Sequence, residues 1–436
     1  ADDPERGAAV ELGNALYDLL TRPADAPWRH GPGVPVRVGA EAGHVRLDEA
    51  QRLVLIPVLG EALLADESRR DDAIRQINAW HDLTGATGRV LPLLVDSGWL
   101  SHRSQLSTPS VHDELADGLY SALLGVLAKI CHTLRIRDRA GRENAGTENQ
   151  PKATLYISSA AEDQESIDAA QRISDVLADH AATPEAFDDI HLLGGEDRER
   201  QPLERGCEGT LLAIRSDRAS SLPGCQREIL RAKRLHWPTL VVELLLDGED
   251  RSFPYGGNTP VFEWRRSLSP SVQSRAVALQ AIVQALAWRH HQLEAERVIK
   301  AARLPRHNVE VFTKSPELLD MPDLRMRYPG PVLALHPDPE LSVHERRVLL
   351  EHHPRLRLVT PASSFRGHLG RTLGSPLEGW RIGFSFADSP DVGGPEGTTR
   401  HHVGDVVLLL ARSLFCAGAH IAYGSDFRKN SLQVIR

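Results

Sequence analysis

The chain has 436 residues, which is more than one ordinary hydrophobic core organises, so we expect about two to four domains. Hydrophobic residues make up 41% of it and charged residues 25%, proportions that fit a globular protein and exclude a disordered or largely membrane-embedded one. The 51 Lys and Arg residues against 59 Asp and Glu residues leave a net charge of −8, which argues against nucleic acid as a partner.

The first module, residues 1–137, alternates between helical and strand-like patterns. Apolar runs at 52–60 and 89–97 predict strands, and the amphipathic segment 66–83 between them predicts a helix. Residues 114–134 carry apolar side chains at helical spacing and predict the closing helix of the module. This order of elements indicates an α/β fold.

Residues 138–152 lose this periodicity and gather Gly, Asn, Glu and Arg, so we interpret them as a linker. The second module, residues 153–300, again alternates between strands and helices. Strands are predicted at 153–159, 210–217 and 238–246, and helices at 162–180, 225–235 and 271–299. The alternation predicts a parallel sheet. The string 251–264, rich in aromatic residues, Pro and Gly, predicts an extended loop that docks between modules.

The most informative segment is TLLAIRSDRASSLPGCQREILRAKRL, in which a strand and a polar loop lead into a helix carrying Cys225 and Glu228. With ATLYISSAAEDQESI before it and PTLVVELL after it, this pattern resembles a bacterial defence-type TIR (Toll/interleukin-1 receptor) domain. The resemblance implies a flavodoxin-like parallel sheet and a Cys-x-x-Glu pair whose glutamate, here Glu228, cleaves NAD⁺. From residue type alone, a surface ion pair between Glu228 and Arg231 is an open alternative.

The resemblance also implies which residues line the substrate cleft. Ser158, Ser159 and Ala160 end the first strand of the module, where small side chains permit close approach of a dinucleotide. An ordinary cap for the next helix is the alternative for this serine-rich strand end. Asp217 ends the neighbouring strand and is expected at the rim of the cleft. Cys225 is expected to be a small buried residue beside the substrate, because no histidine is evidently placed to activate it as a nucleophile.

The first module contains a weak copy of the same strand–helix–strand order. When Ile74 is aligned with Ile229, Ala73 stands at the position of Glu228, with Asp72 adjacent. We therefore expect residues 1–137 to form a TIR-like scaffold without chemistry. The alternative is that any two strand–helix–strand units look alike.

In the third module, residues 301–436, the segment RIGFSFADSPDVG predicts a strand that runs into a Ser/Asp/Gly loop. A helical pattern from His402 follows, and AHIAYGSDFR predicts another strand, which ends in a glycine turn. These segments resemble SLOG domains, which are Rossmann-like nucleotide sensors. The resemblance implies a nucleotide pocket formed by Ser385, Arg412, Gly424 and Asp426, with the arginine pairing with phosphate. The chain has Ser425 where the family has a second glycine. A glycine-rich phosphate loop usually follows this turn in the family, so we expect an incomplete pocket here.

Cysteine and histidine spacing predicts no metal site. The cysteines Cys131, Cys207, Cys225 and Cys416 lie far apart, as free thiols of a cytoplasmic protein would. No apolar run approaches the roughly 20 residues that cross a bilayer, and no secretory signal opens the chain, so we expect no membrane partner.

Together the two resemblances imply an antiphage defence effector. A nucleotide second messenger, either derived from ADP-ribose or cyclic, binds the SLOG domain and drives a homo-oligomer or filament. The TIR domain then hydrolyses NAD⁺ to nicotinamide and ADP-ribose, which stops the infected cell. NAD⁺ is a substrate here, and no prosthetic group is expected. Two alternatives are open: a TIR enzyme that cyclises ADP-ribose into a signal, and a non-enzymatic assembly scaffold. Many TIR enzymes have tryptophan at the position of Gly224, and its absence is the main support for the scaffold.

Overall fold

The structure is a computed structural model that describes most of the chain and divides it into two compact units. The units are Ala1–Leu16 with Glu41–Leu286, and Tyr17–Ala40 with Ala287–Arg436. The described residues are 4–21, 34, 36, 53–84, 88–94, 97–107, 111–112, 119–140, 153–179, 187, 189–194, 208–249, 251–302, 304, 306–337, 340–361, 363, 381–384 and 420–423.

Helices and strands alternate through most of the described residues. The α-helices are α1 Pro4–Leu20, α2 Glu61–Leu64, α3 Glu67–Thr84, α4 Leu119–Ala140, α5 Gln164–Asp179, α6 Pro223–Arg234, α7 Pro270–Ala301, α8 Met321–Arg327 and α9 Val343–His352. The strands are β1 Leu53–Leu55, β2 Val58–Leu59, β3 Gly88–Val90, β4 Leu93–Leu94, β5 Val111–His112, β6 Ala153–Ser159, β7 Asp189–Gly194, β8 Glu208–Arg215, β9 Thr239–Glu243, β10 Val261–Glu263, β11 Val309–Val311, β12 Val332–Leu335, β13 Leu356–Val359, β14 Arg381–Phe384 and β15 His420–Tyr423. No helix of the described residues is both long enough and apolar enough to span a membrane.

The N-terminal strands of the first unit form two small parallel sheets. β1 pairs with β3, while β4 lies between β2 and β5. Each predicted strand run therefore divides into two short strands, because Pro57 and Pro92 provide no backbone N–H at the divisions. Their core consists of buried apolar side chains: Leu59, Ile74, Ile77, Val90, Leu94, Trp99 and Leu106.

The larger sheet of the first unit has five parallel strands in the order β10-β9-β8-β6-β7. Numbered from β6 in chain order, this arrangement is 2-1-3-4-5, in which the direction of winding reverses between β6 and β8. The expected α/β class with parallel sheets is therefore confirmed. The loop predicted for the string 251–264 is wrong at Val261–Glu263, which pair with β9 as an edge strand.

Helix α6 packs on one face of this sheet. The packed side chains are Tyr156, Leu193, Leu211, Ala213, Ala232 and Trp237. The ring of Trp237 stacks on that of Tyr156 with centroids 5.2 Å apart. Gly209 makes room for it, because a Cβ at that position would lie 2.3 Å from atoms of the indole. Leu155 and Ile157 flank Tyr156 in β6, so their side chains point to the opposite face of the sheet. Both are fully buried, so that face is covered as well.

The second unit contains a three-stranded parallel sheet, β11-β12-β13, and the parallel pair β14-β15. The first packs on a core around Phe312, Leu324 and Leu349. In the pair, Phe384 is in register with Tyr423. The strands predicted at the start of RIGFSF and within AHIAYG are therefore confirmed. The predicted ligand residues Ser385, Arg412, Gly424 and Asp426 lie outside the described residues.

Candidate functional site

The candidate site lies where β6 and β8 end and α6 begins. Helix α6 follows a short 3₁₀ turn, Ala219–Ser221, and begins at Pro223, whose fixed φ and missing N–H suit the first helical position. The preceding residue, Leu222, offers no side-chain cap. The helix thus starts two residues before the predicted Cys225.

One stripe of α6 faces the sheet. Cys225 and Ala232 are buried, and Ile229 packs against the same core, so the face repeats at the spacing of an amphipathic helix. Glu228 lies on this stripe, one turn after Cys225, and is partly buried. A carboxylate stands here where the pattern alone would place an apolar residue.

Ser158 lies on the face of the sheet that packs against this stripe of α6. In β6 it is two residues from Tyr156, which contacts α6, and it is in register with Ala213 of β8. Alternation along a strand places Tyr156 and Ser158 on the same face. The Ser158 side chain interacts with both Glu228 and Cys225 and acts to lower the pKa of each. The structure therefore brings together three residues predicted to share a site.

Burial and the Ser158 hydroxyl have opposite effects on the pKa of Glu228. Partial burial removes water from the carboxyl group and raises its pKa above the ordinary value of a glutamate. The hydrogen bond from Ser158 and the charge of Arg227 act to lower it. Burial is the largest of these effects, so the pKa of Glu228 is raised overall.

The thiol of Cys225 is held in its protonated form. Burial raises its pKa, and the neighbouring negative charge of Glu228 raises it further. The thiol donates a hydrogen bond to the Ser159 carbonyl oxygen, 3.8 Å away. A thiol with a raised pKa is a poor nucleophile, so Cys225 contributes packing between α6 and β6.

The other residues at the end of β6 contact the neighbouring strand and helix. The Ser159 hydroxyl lies 3.5 Å from the Leu193 carbonyl oxygen, and the Ala160 N–H donates to the Ser166 hydroxyl at 3.3 Å. Asp163 caps α5 by accepting the Glu165 N–H at 3.1 Å. The N-terminal cap of α5 is therefore Asp163, and Ser158 interacts with α6 instead.

Asp217 organises a turn beside the site. Its carboxylate accepts backbone N–H groups from Leu246 at 2.9 Å, Asp247 at 2.9 Å and Gly248 at 3.2 Å. Hydrogen bonds from these backbone groups hold the pKa of Asp217 below its usual value. Gly248 has φ +98°, a conformation that favours glycine. Asp217 thus secures the turn after β9.

The sequence predictions did not include Arg215 and Glu249, which form an ion pair at 2.7 Å close to the start of α6. Arg215 ends β8 in register with Glu243 of β9, so the alignment of these two strands could have indicated part of this cluster. The position of Gly224 is open, since a Cβ there would meet nothing within 4 Å.

Within the part of the chain that the structure describes, no group of His, Cys, Asp and Glu residues is arranged to hold a metal ion. The arrangement around Glu228 can instead place a negative charge against a positively charged or electron-poor group of a ligand. Comparison with known proteins adds no relative to this assignment: no protein-family model matches the chain, and no curated protein matches it either.

Proposed function

We propose that the first unit cleaves NAD⁺ at the bond between nicotinamide and ribose, with Glu228 as the catalytic carboxylate. The observation that carries this proposal is the position of Glu228 beside Ser158, next to the carboxyl ends of β6 and β8. In the flavodoxin-like strand order, ligands bind at this reversal of winding. The resemblance to TIR domains supplies the substrate.

The chemistry requires one well-placed carboxylate. Nicotinamide leaves as a neutral group, so positive charge develops on the ribose in an oxocarbenium-like transition state. A partly buried carboxylate stabilises that charge more strongly than one in water, because less solvent screens it. The Ser158 hydroxyl orients the carboxylate and favours its ionised form. Water then completes hydrolysis to ADP-ribose.

We further propose that the SLOG-like residues 301–436 gate this reaction. A nucleotide bound by Ser385, Arg412, Gly424 and Asp426 would favour an assembled state of the protein in which NAD⁺ is cleaved. A ligand shifts such an equilibrium only by binding the assembled state more tightly than the resting one. The biological role that follows is antiphage defence through NAD⁺ loss in the infected cell.

The test is NAD⁺ consumption by the purified full chain, with and without extract from phage-infected cells, beside Glu228→Ala. Activation by the extract and loss in the variant support a gated hydrolase. Equal consumption without extract rejects the gate and leaves the enzyme. A cyclic ADP-ribose product instead of ADP-ribose favours the signal-producing alternative. No consumption under either condition favours the scaffold.

A further inference from the structure

Glu249 is a buried carboxylate in the loop after β9, with only 3% of its side chain exposed. It accepts hydrogen bonds from the Arg215 guanidinium at 2.7 Å and from the Ser220 hydroxyl at 2.5 Å. Arg215 belongs to the end of β8 and Ser220 to the turn that precedes α6. One carboxylate therefore joins the loop after β9 to both ends of the β8–α6 connection.

Ser220 is also hydrogen-bonded to helix α6. The Gln226 side-chain amide, on the first turn of α6, donates to the Ser220 carbonyl oxygen at 2.7 Å. Gln226 lies between Cys225 and Glu228 in the sequence. Because Leu222 provides no side-chain cap, this bond is a side-chain contact that fixes the beginning of α6 from outside the helix.

The loop after β9 and the β8–α6 connection are joined a second time, and here the carboxylate belongs to the β8–α6 connection. Asp217 of the β8–α6 connection accepts the N–H groups of Leu246, Asp247 and Gly248, which immediately precede Glu249. Hydrogen bonds to the Asp217 carboxylate therefore fix the turn that carries Glu249, and the Glu249 carboxylate in turn accepts from Arg215 and Ser220. The two loops are thus joined in both directions.

The charge of Glu249 is matched within the cluster. Burial acts to raise the pKa of Glu249, but hydrogen bonds from Arg215 and Ser220, with the charge of Arg215, hold it below the usual value. Arg215 also donates to Glu243 at 2.9 Å. Arg215 would therefore keep a carboxylate partner if Glu249 were lost, whereas loss of Arg215 would leave the buried charge of Glu249 uncompensated.

We propose that Glu249 is a positioning residue, which fixes the first turn of α6 through Ser220 and Gln226 and so places Glu228 against Ser158. The inference rests on the proposed function in that Glu228 is taken as the catalytic carboxylate. It adds a residue that touches no substrate and acts through the helix start.

The experiment compares Glu249→Ala, Ser220→Ala and Glu249→Gln with a matched control in the full chain. Glu162→Gln is the control, since Glu162 pairs with Arg218 of the same loop but both side chains are 66% exposed. Two readouts are taken well below the melting temperature: the alkylation rate of Cys225 by iodoacetamide, followed by peptide mass spectrometry, and kcat and KM for NAD⁺ cleavage.

Loosening of the helix start exposes Cys225, so alkylation should accelerate several-fold in both alanine variants. The kcat should fall by about 10-fold with KM nearly unchanged, because a small displacement of a catalytic group weakens transition-state contacts most. Glu249→Gln keeps an oxygen acceptor for Ser220. Its alkylation rate and its kcat should therefore lie between those of wild type and Glu249→Ala. The control should match wild type in both readouts.

Unchanged alkylation and kcat in folded Glu249→Ala would overturn the inference. Faster alkylation with unchanged kcat would also overturn it, because the helix start would then not position Glu228. A residue that only stabilises the fold would lower the melting temperature and leave both rates per folded molecule as in wild type. If wild type consumes no NAD⁺ either with or without extract from phage-infected cells, the proposed function fails, and alkylation alone still decides whether Glu249 fixes the helix start.

Discussion

The first unit contains two strand–helix–strand motifs with the same order of elements, one in the first module (residues 1–137) and one in the second module (residues 153–300). In the second module, β8, α6 and β9 are continuous, and Glu228 is partly buried beside Ser158. In the first module, the strands divide at prolines, and Asp72 on α3 forms an exposed ion pair with Arg75. The same order of elements therefore yields a desolvated carboxylate in one place and a solvated one in the other.

What separates the two is the surroundings of the acid. Asp72 is 67% exposed, so water screens its charge and the pair with Arg75 contributes little to stability. Burial raises the pKa of Glu228 and strengthens its interaction with any cation brought beside it. The environment of each acid therefore depends on whether its side of the helix meets a polar strand end.

The largest expected difference between the two modules is in activity. Under the proposed mechanism, Glu228→Gln should lower NAD⁺ cleavage by about 10²- to 10³-fold, because it removes the charge proposed to stabilise the transition state and keeps the shape. Asp72→Asn, the matched change in the first module, should leave the rate unchanged. Nicotinamide release measured by liquid chromatography checks both, and a large loss in Asp72→Asn would show that the first module is not a scaffold.

Gly209→Ala should disrupt the packing of the second module. The added Cβ would lie 2.3 Å from Trp237, so the indole must leave its stack on Tyr156. We expect a loss of about 1–3 kcal/mol in the free energy of unfolding, the usual cost of overpacking. Chemical denaturation measures it. If the clash is the cause, combining the change with Trp237→Phe should cost less than the two changes added together.

The pH dependence of stability should distinguish the buried acid from the exposed one. Because the pKa of Glu228 is raised, the folded state binds this proton more tightly than the unfolded state does. Its stabilising effect is full below 4.5, the ordinary glutamate value, and is lost as pH rises through the folded value. Glu228→Gln should therefore be more stable than wild type near neutrality, with the difference shrinking as the solution is made acidic.

Denaturant unfolding of Glu228→Gln and wild type between about pH 4 and about pH 8 checks this sign. A difference that is constant over the whole range would mean that the carboxyl is not desolvated. A difference that grows on acidification would mean that the Ser158 and Arg227 contacts outweigh burial.

The smallest expected effect sharpens the description of the helix start. Gly224→Ala should raise the free energy of unfolding by about 0.5–1 kcal/mol, because alanine favours helix over glycine and the position is open. Gly248→Ala is the matched control: its surroundings are equally open, but φ is +98°, so the change should destabilise the protein. Destabilisation by Gly224→Ala would indicate that the start of α6 is not helical.

Much of the second module can be predicted from local sequence patterns, but its candidate site can be predicted only in part. The apolar runs predict β6, β8 and β9, and helical spacing places Cys225 and Glu228 on one stripe. The partnership of Glu228 with Ser158 depends on the register of β6 with β8, which no local period encodes. Glu249 reaches Ser220 across 29 residues of sequence, and β10 forms in a string whose Pro and Gly favour a loop.

The thiol of Cys225 makes the candidate site resistant to oxidation. Oxidants and electrophiles react with thiolates, and this thiol is buried, hydrogen-bonded to the Ser159 carbonyl oxygen and kept protonated by the charge of Glu228. A cysteine that lies one helical turn from the proposed catalytic carboxylate can therefore persist without disulfide or sulfenic acid chemistry.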